Sequence, residues 1–264
     1  GENLPPAYLG QVLEVISEEM AREEQGLADP NSSRVVELEE IHKDGYTIWT
    51  EVRASFIRDT HNRPIGILGV TRDITKRKEA EEALRRREAI LEAVSFAAEK
   101  FLKGHDWEPD IHEILERIGQ AVEVSRIYLF ENHHDTNGNL LASLRHEWVA
   151  ANIEPQIDNP EFQGTPYKAS GFERWEEMLP QGQIIWGSVA QFPPSEQPLL
   201  AARDTKSIVA VPIFVGQHWW GGFGFEDCFQ EREWSSMEVD ALVTAASILG
   251  LTILHHKEEK ALRE

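Results

Sequence analysis

Hydrophobic positions in the first 75 residues follow two different periods. Over residues 5–25, apolar side chains recur at spacings of three and four, which predicts an amphipathic helix. Over residues 47–58, apolar and polar side chains alternate, which predicts a β-strand. Residues 34–42 and 65–70 read as two further strands, separated from it by turn-forming segments. The pattern therefore predicts one helix followed by three antiparallel strands.

A highly charged helix follows this region, and its apolar residues have heptad spacing. Arg87 interrupts the repeat at one core position. We expect a parallel homodimer seam, and the alternative is a single helix packed against its own domain. The seam residues would be Ala80, Leu84, Leu91, Val94, Ala98 and Phe101.

The remainder of the chain mixes helical and strand periods, which predicts an α+β domain. Two amphipathic helices are predicted at its ends, one over residues 111–122 and one over residues 235–256. Between them, the strand patterns fall at residues 124–131, 140–150, 184–189, 207–215 and 219–226. A long irregular stretch separates the second strand from the third.

Composition restricts the function further. The formal net charge of −20 argues against binding nucleic acid or anionic lipid through bulk charge. The single cysteine, Cys228, excludes an intrachain disulfide framework and fits a reducing compartment. No apolar run approaches the roughly 20 residues of a membrane span. We therefore expect a cytoplasmic location, with no membrane contact by this part of the protein.

Residues 47–84 run in the order strand, turn, strand, Asp73-Ile74-Thr75 and charged helix. This order resembles the C-terminal end of a PAS sensor domain, whose last strand leaves through an Asp-Ile-Thr turn into a signalling helix. The resemblance implies that residues 1–75 hold the last helix and three strands of a PAS domain, and that residues 76–89 are the signalling helix. Such a partial sheet would leave an apolar face and an edge uncovered.

The segment 207–253 has a strand containing Val211-Pro212-Ile213, a tight turn, the run WWGGFGFEDC and a long apolar helix. It is similar to GAF domains of sensor histidine kinases. The resemblance implies an antiparallel sheet with helices on its faces over residues 90–256, followed by an outgoing helix that begins at 257–264. Because GAF domains bind chromophores, cyclic nucleotides, haem, small metabolites or nothing detectable, the cofactor stays unknown.

Apolar and aromatic residues cluster in the irregular stretch between the strands. They either fill the core or line a pocket for a flat or apolar small molecule. The candidate ligand-binding residues are Tyr167, Phe172, Trp175, Met178, Ile185 and Trp186.

Other chemistry-bearing residues do not form a recognisable site. Cys228 has a context like the bilin-attaching cysteines of phytochrome-like GAF domains, but Glu226 replaces their aspartate, and we expect a small packed residue. Neighbouring histidines such as His133-His134 diverge in direction, so no metal site is expected. No Ser/His/Asp grouping suggests a nucleophile, so no catalysis is expected.

These observations favour a non-catalytic sensory region that relays a ligand or partner signal through dimeric helices. The charged segment 257–264 echoes residues 78–85, so we expect the protein to continue into an output domain. A histidine kinase is the first expectation for that domain and a diguanylate cyclase the second. The competing interpretations are a structural dimerisation module without ligand and a small-molecule enzyme on the GAF scaffold.

Overall fold

The computed structural model describes residues 5–25, 29, 32–103 and 107–263. The chain divides into two compact units, Gly1–Arg85 and Arg86–Glu264. Each unit contains one antiparallel sheet with helices, so the architecture is α+β, as predicted. Gly1–Leu4 of the expected first domain and Glu264 of the expected outgoing helix lie outside the described residues.

The first unit consists of a helix and three strands in the predicted order. They are α1 (Pro6–Glu24), β1 (Arg34–Ile41), β2 (Thr47–Arg58) and β3 (Pro64–Asp73). The sheet order is β1-β2-β3, with both pairs antiparallel. β3 extends beyond the predicted residue 70 because residues 71–73 still pair with residues 50–52 of β2.

Ion pairs and an edge-to-face contact of Tyr8 with Trp49 join α1 to this sheet. Glu19 pairs with Arg34 of β1, and Glu23 with Arg58 of β2. Among the described residues of this unit, only Leu38, Thr50 and Ile74 are buried. The first unit therefore has a small interior.

The Asp73-Ile74-Thr75 tripeptide connects the sheet to α2 (Thr75–Lys103). The Thr75 amide donates to Asp73 Oδ1 at 2.8 Å, and Thr75 Oγ1 accepts from the Trp49 amide at 3.0 Å. The hydrogen bond from the Thr75 amide lowers the pKa of Asp73, because it stabilises the carboxylate. Ile74, the middle residue of the tripeptide, is buried. The motif thus fixes the start of α2 against β2.

The second unit is built on a six-stranded antiparallel sheet. Its other elements are α3 (Ile111–Val122), β4 (Arg126–His134), β5 (Leu140–Val149), β6 (Thr165–Pro166), α4 (Glu173–Met178), β7 (Ile185–Ser188), α5 (Gln197–Ala201), β8 (Ser207–Val215), β9 (His218–Asp227) and α6 (Ser236–Arg263). The strand order is β6-β5-β4-β9-β8-β7. Residues 150–206 are called the insert here, although they also contain β6, β7, α4 and α5.

Each face of this sheet has its own hydrophobic core, because side chains alternate along a strand. Ile127, Val209 and Phe225 point to the face covered by α2, α3 and α6. Tyr128, Ile208 and Ala210 point to the opposite face, which the insert covers. The candidate site lies on this second face.

The interface expected for α2 needs one correction. Ile90, Ala93, Ala97 and Phe101 form the buried stripe of α2 and belong to the core of the second unit. Phe101 is therefore unavailable for a dimer seam, because its own domain already buries it. Ala80, Leu84 and Leu91 are exposed, whereas Val94 and Ala98 are partly exposed.

From the sequence, no segment was expected to be long and apolar enough to span a membrane, and the closing helix α6 corrects this expectation. Ser236–Leu262 has the length and the mean hydropathy of such a span. Half of the apolar window is buried within the domain, where Leu242, Ala245 and Leu249 enter the core. Core packing accounts for the buried half of its apolar residues, whereas Leu251 is 64 % exposed.

Candidate ligand cavity

A cavity of about 70 Å³ lies between the sheet of the second unit and the insert. β4, β5, β8 and β9 form its floor, and α4, α5 and the loops around them form its roof. Its lining is mainly aromatic and aliphatic: Tyr128, Phe130, Ala142, Phe162, Thr165, Tyr167, Phe172, Trp175, Leu179, Leu199, Leu200, Arg203, Ala210 and Gly222.

Two glycines of β9 create the space on this face. A Cβ atom built on Gly222 would meet nothing closer than the Val211 carbonyl oxygen at 3.9 Å, so the floor is open there. A Cβ atom on Gly224 would lie 2.3 Å from Tyr128 Oη and 2.4 Å from Tyr128 Cζ. Gly224 therefore allows the Tyr128 ring to lie across the sheet, and Gly222 leaves the cavity unfilled.

The structure brings together part of the predicted site. Tyr167, Phe172 and Trp175 line the cavity. Met178 and Ile185 belong to the same hydrophobic cluster but are not in the lining. Trp186 is 59 % exposed, and its cross-strand partner Val209 belongs to the core on the other face of the sheet. Three of the six predicted residues therefore surround the cavity.

Several lining residues were missed by the sequence prediction. Tyr128 and Phe130 sit on the floor, and the alternation within β4 could have placed them on one face. Leu199, Leu200 and Arg203 come from α5 and the residues after it. Their sequence context has no period that indicates a pocket, because α5 is only five residues long.

Hydrogen bonds to a buried carboxylate hold the roof in place. Trp175 Nε1 donates to Glu196 Oε2 at 2.9 Å, and Arg174 donates to both oxygens of Glu196 at 2.7–2.8 Å. Glu196 is 1 % exposed. Because a buried charge needs such partners, this cluster ties α4 to the segment preceding α5.

Arg203 of the cavity lining belongs to a buried group of two arginines and two glutamates. Arg126 Nε lies 2.9 Å from Glu147 Oε1, and Arg126 Nη1 donates to Glu226 Oε2 at 2.6 Å. Arg203 pairs with Glu226 through Nη2. The Arg203 guanidinium also lies over the Phe162 ring, 4.7 Å from its centroid. We call these four residues the ion-pair quartet.

Burial shifts the proton affinity of these groups. It lowers the pKa of Arg203 to about 10, because a desolvated guanidinium is less stable as a cation. Burial also raises the pKa of Glu147, although the amides of Gln156 and Ile157 donate to its carboxylate and oppose the shift. The pKa of the Tyr128 phenol is raised for the same reason, so its hydroxyl stays protonated.

Two polar atoms of the lining residues remain unused. Tyr128 Oη and Arg203 Nε are buried and have no hydrogen-bond partner among the described residues. The hydroxyl of Tyr167 differs, because it donates to Asn132 Oδ1 at 2.9 Å.

The histidines and the cysteine are engaged in other ways. His133 Nε2 lies 2.8 Å from Ser143 Oγ, and His255 is exposed. Within the described ranges, no three His, Cys, Asp or Glu side chains are grouped so that they could hold a metal ion. Cys228 is buried beside Arg126 and is not among the lining residues. Burial raises the pKa of its thiol, which disfavours the reactive thiolate.

Comparison with known proteins agrees with this architecture. The model of the GAF domain family matches residues 106–253, which is more than half of the chain. The chain belongs to the GAF family. A PAS domain model matches residues 7–76, ahead of the GAF domain.

A curated relative supports a signalling context for the PAS and GAF domains. The chain is 39 % identical over 194 residues to the methanogenesis regulatory histidine kinase FilI of Methanothrix harundinacea strain 6Ac. The match covers 74 % of this chain and 22 % of FilI. The chain thus spans about a fifth of the length of this relative.

Solved structures support the GAF fold. The phycocyanobilin-bound GAF domain of a cyanobacterial phytochrome is 17 % identical, with a TM-score of 0.52 over 66 % of this chain and 96 % of its own. The far-red absorbing dark state of JSC1_58120g3 with bound biliverdin is also 17 % identical, with a TM-score of 0.51 over 62 % and 99 %. At this identity, the similarity establishes the fold alone.

Proposed function

We propose that this chain is the non-catalytic, cytoplasmic sensory region of a signal-transduction histidine kinase, in which a small molecule bound in the GAF cavity is the signal. The observation that carries the proposal is the cavity itself, lined mainly by aromatic and aliphatic side chains between the sheet and the insert. The domain limits would be 1–75 for PAS, 76–89 for the signalling helix and 90–256 for GAF.

The sheet offers a physical route from the cavity to the helices. Ala210 and Gly222 lie on the floor, while Val209, Val211 and Phe223, one residue away along the same strands, pack in the helix-side core. α2 and α6 meet on that side, where Thr252 Oγ1 donates to the Phe101 carbonyl oxygen at 3.3 Å. A ligand that fits two packings of this core unequally would change the arrangement of both helices.

The cavity favours a ligand smaller than the bilins of the structural relatives. Its 70 Å³ compares with the roughly 150 Å³ of an engineered protein cavity that binds benzene. Cys228 does not line it, so covalent attachment of a chromophore there is not part of the proposal.

Filling the cavity tests the ligand proposal. Gly222→Val places methyl groups in the open floor, and Gly69→Val is the matched control, since nothing lies within 4 Å of its Cβ position in the first unit. Native mass spectrometry and thermal shifts against a small-molecule library would be measured on both variants. We expect the wild type and the control to bind ligand and Gly222→Val to lose it. A cavity-filled variant that still binds would contradict the proposal.

The relay requires a homodimer, and the exposed residues of α2 support one. Ala80, Leu84 and Leu91 form an exposed apolar stripe, which Arg87 interrupts. The alternative, a single helix packed against its own domain, fits the buried stripe of the C-terminal half of α2. A dimer without any ligand would indicate a structural dimerisation module instead.

Arg87 gives a direct test of that seam. Arg87→Leu should lower the dissociation constant of the dimer, because it replaces a charge by an apolar side chain at a core position of the repeat. The control is Arg85→Leu, on the other side of the helix. Analytical ultracentrifugation of both variants would measure the change, and equal constants for wild type and Arg87→Leu would remove Arg87 from the seam.

A further inference from the structure

The lining of the cavity approaches solvent at few places. Of the lining residues that the structure describes, Phe130, Thr165 and Leu199 are partly exposed, and the others are buried. The shortest routes from solvent into the cavity therefore pass these three side chains.

Two of the three side chains are held by specific contacts. The Phe130 ring packs edge-on against the Tyr128 ring, with 5.3 Å between the centroids. Thr165 Oγ1 donates to the Glu161 carbonyl oxygen at 2.6 Å. Leu199 packs against the core on the insert side of the sheet, and its side chain has neither a ring nor a polar atom. It can therefore change rotamer without breaking a hydrogen bond or a ring contact.

Leu199 also lines a second space, a surface cleft of about 480 Å³. The cleft lies where two parts of the roof meet, since it takes Ser170 from the loop before α4 and Ser195 from the loop before α5. These loops are in backbone contact, because a Cβ atom built on Gly171 would meet the Ser195 carbonyl oxygen. The other residues of the cleft are Glu161, Pro198 and Ala202.

We infer that Leu199 is a gate between this cleft and the cavity, and that the ligand enters there. The inference rests on the proposed function, because it concerns entry into the same site. A residue that lines both spaces separates them when its side chain points inward and joins them when it turns away. The side chain of Leu199 would then decide how fast a ligand reaches the cavity.

Buried ion pairs and hydrogen bonds fix both ends of α5, which carries the gate. Glu196, the residue before the helix, accepts a hydrogen bond from Trp175 of α4. Beyond the helix, Arg203 pairs with Glu226 of β9, and Thr205 Oγ1 donates to the same carboxylate at 2.9 Å. Movement of the whole helix would break these buried contacts, which is costly. Rotation of the gating side chain alone opens the route without that cost.

Xenon is the probe for this gate, since a single xenon atom binds apolar cavities and is smaller than benzene. Xenon NMR with saturation transfer on the whole chain measures both the dissociation constant and the rate constant for entry. Leu199→Ala shortens the gate. Leu200→Ala is the matched control, because Leu200 lines the cavity but is not among the residues of the cleft. Thr165→Ala widens one of the other two routes.

We expect Leu199→Ala to raise the rate constant for xenon entry by about tenfold, because it removes most of the barrier that the side chain forms. Leu199→Val, which is shorter by one carbon, should give a smaller increase and serves as the test if Leu199→Ala does not fold. Leu200→Ala should change the dissociation constant through the larger cavity and leave the rate constant for entry unchanged. Thr165→Ala should leave that rate constant unchanged as well.

Equal entry rate constants for the variants of Leu199 and Leu200→Ala would overturn the gate while the ligand cavity stands. Faster entry in Thr165→Ala than in the variants of Leu199 would overturn it too, and would move the entrance to β6. If the wild type does not bind xenon, the cavity is closed to apolar ligands, and the proposed ligand site fails together with the gate.

Discussion

The two antiparallel sheets of this chain differ in how completely their apolar side chains are covered. In β3 of the first unit, Ile65 and Val70 are 66 % and 59 % exposed, and Ile67 and Leu68 are at least half exposed. In β8 of the second unit, Ile208, Val209, Val211 and Ile213 are all essentially buried. Both strands are rich in β-branched residues, so the difference lies in their surroundings and not in their composition.

Position within the sheet explains much of this contrast. β3 is the last strand of a three-stranded sheet, with a neighbour on one side. β8 lies between β7 and β9, and the helices and the insert cover its two faces. The second sheet therefore encloses a region dry enough for buried ion pairs and a cavity, whereas the described part of the first sheet has neither a comparable interior nor a matching cluster of buried charges.

The sharpest test of this difference uses two carboxylates that each pair with two basic side chains. Glu226 contacts Arg126 and Arg203 in the buried quartet, and Glu37 contacts Arg77 and Lys78 at the surface of the first unit. Glu226→Ala should reduce the free energy of unfolding by about 3–5 kcal/mol, because it leaves two buried cations without their partner.

Glu37→Ala should change stability little, because solvent replaces the lost partner. Urea unfolding followed by tryptophan fluorescence measures the second unit, which holds all tryptophans except Trp49. Hydrogen exchange of β1–β3 measures the first unit. A small effect of Glu226→Ala would mean that water reaches the quartet, and the contrast between the two sheets would be lost.

Shortening one apolar side chain in each sheet compares how well the two sheets are covered, without changing any charge. Ile213→Ala should cost about 2–5 kcal/mol, since Ile213 is fully buried in the helix-side core and its removal leaves a cavity. Ile67→Ala, on the exposed strand, should change stability by no more than about 0.5 kcal/mol. The same unfolding and exchange measurements apply. A large loss in Ile67→Ala would show that β3 is covered in solution, as expected if another chain pairs with it.

Much of the fold could be predicted from local patterns. The alternation within β2, the continuous apolar run of β8 and the three-four spacing within α1, α3 and α6 extend over many residues, so the sequence indicates the type of each of these elements. The heptad pattern of α2 was less informative. Two overlapping stripes run along that helix, and only the structure shows that Phe101 belongs to the intramolecular one.

The site was predictable only in part, because residues distant in sequence assemble it. Tyr167, Phe172 and Trp175 form a local aromatic cluster that the sequence reveals. The ion-pair quartet joins residues 126, 147, 203 and 226, and no short-range spacing connects them. The sequence marks Gly222 and Gly224 only as strand glycines, because their role depends on the neighbouring strand that carries Tyr128.

The smallest expected effect is a pH dependence of stability, which tests how dry the helix-side core of the second unit is near its end. His146 is half-buried with its ring 5.3 Å from that of Trp107, and burial lowers its pKa. As the pH falls below about 6.5, His146 is protonated in the unfolded chain before it is protonated in the folded domain. The folded state therefore loses stability as the pH falls from about 6.5 toward the lower pKa of the folded domain.

His146→Phe keeps a ring against Trp107 and removes the titration. Between pH 7.5 and 5.5, the melting temperature of the wild type should fall more than that of the variant, by no more than about 2–4 °C. Differential scanning calorimetry at the two pH values measures this difference. Parallel pH profiles for the two proteins would mean that the imidazole accepts its proton as readily in the folded domain as in the unfolded chain, and that water reaches this end of the helix-side core.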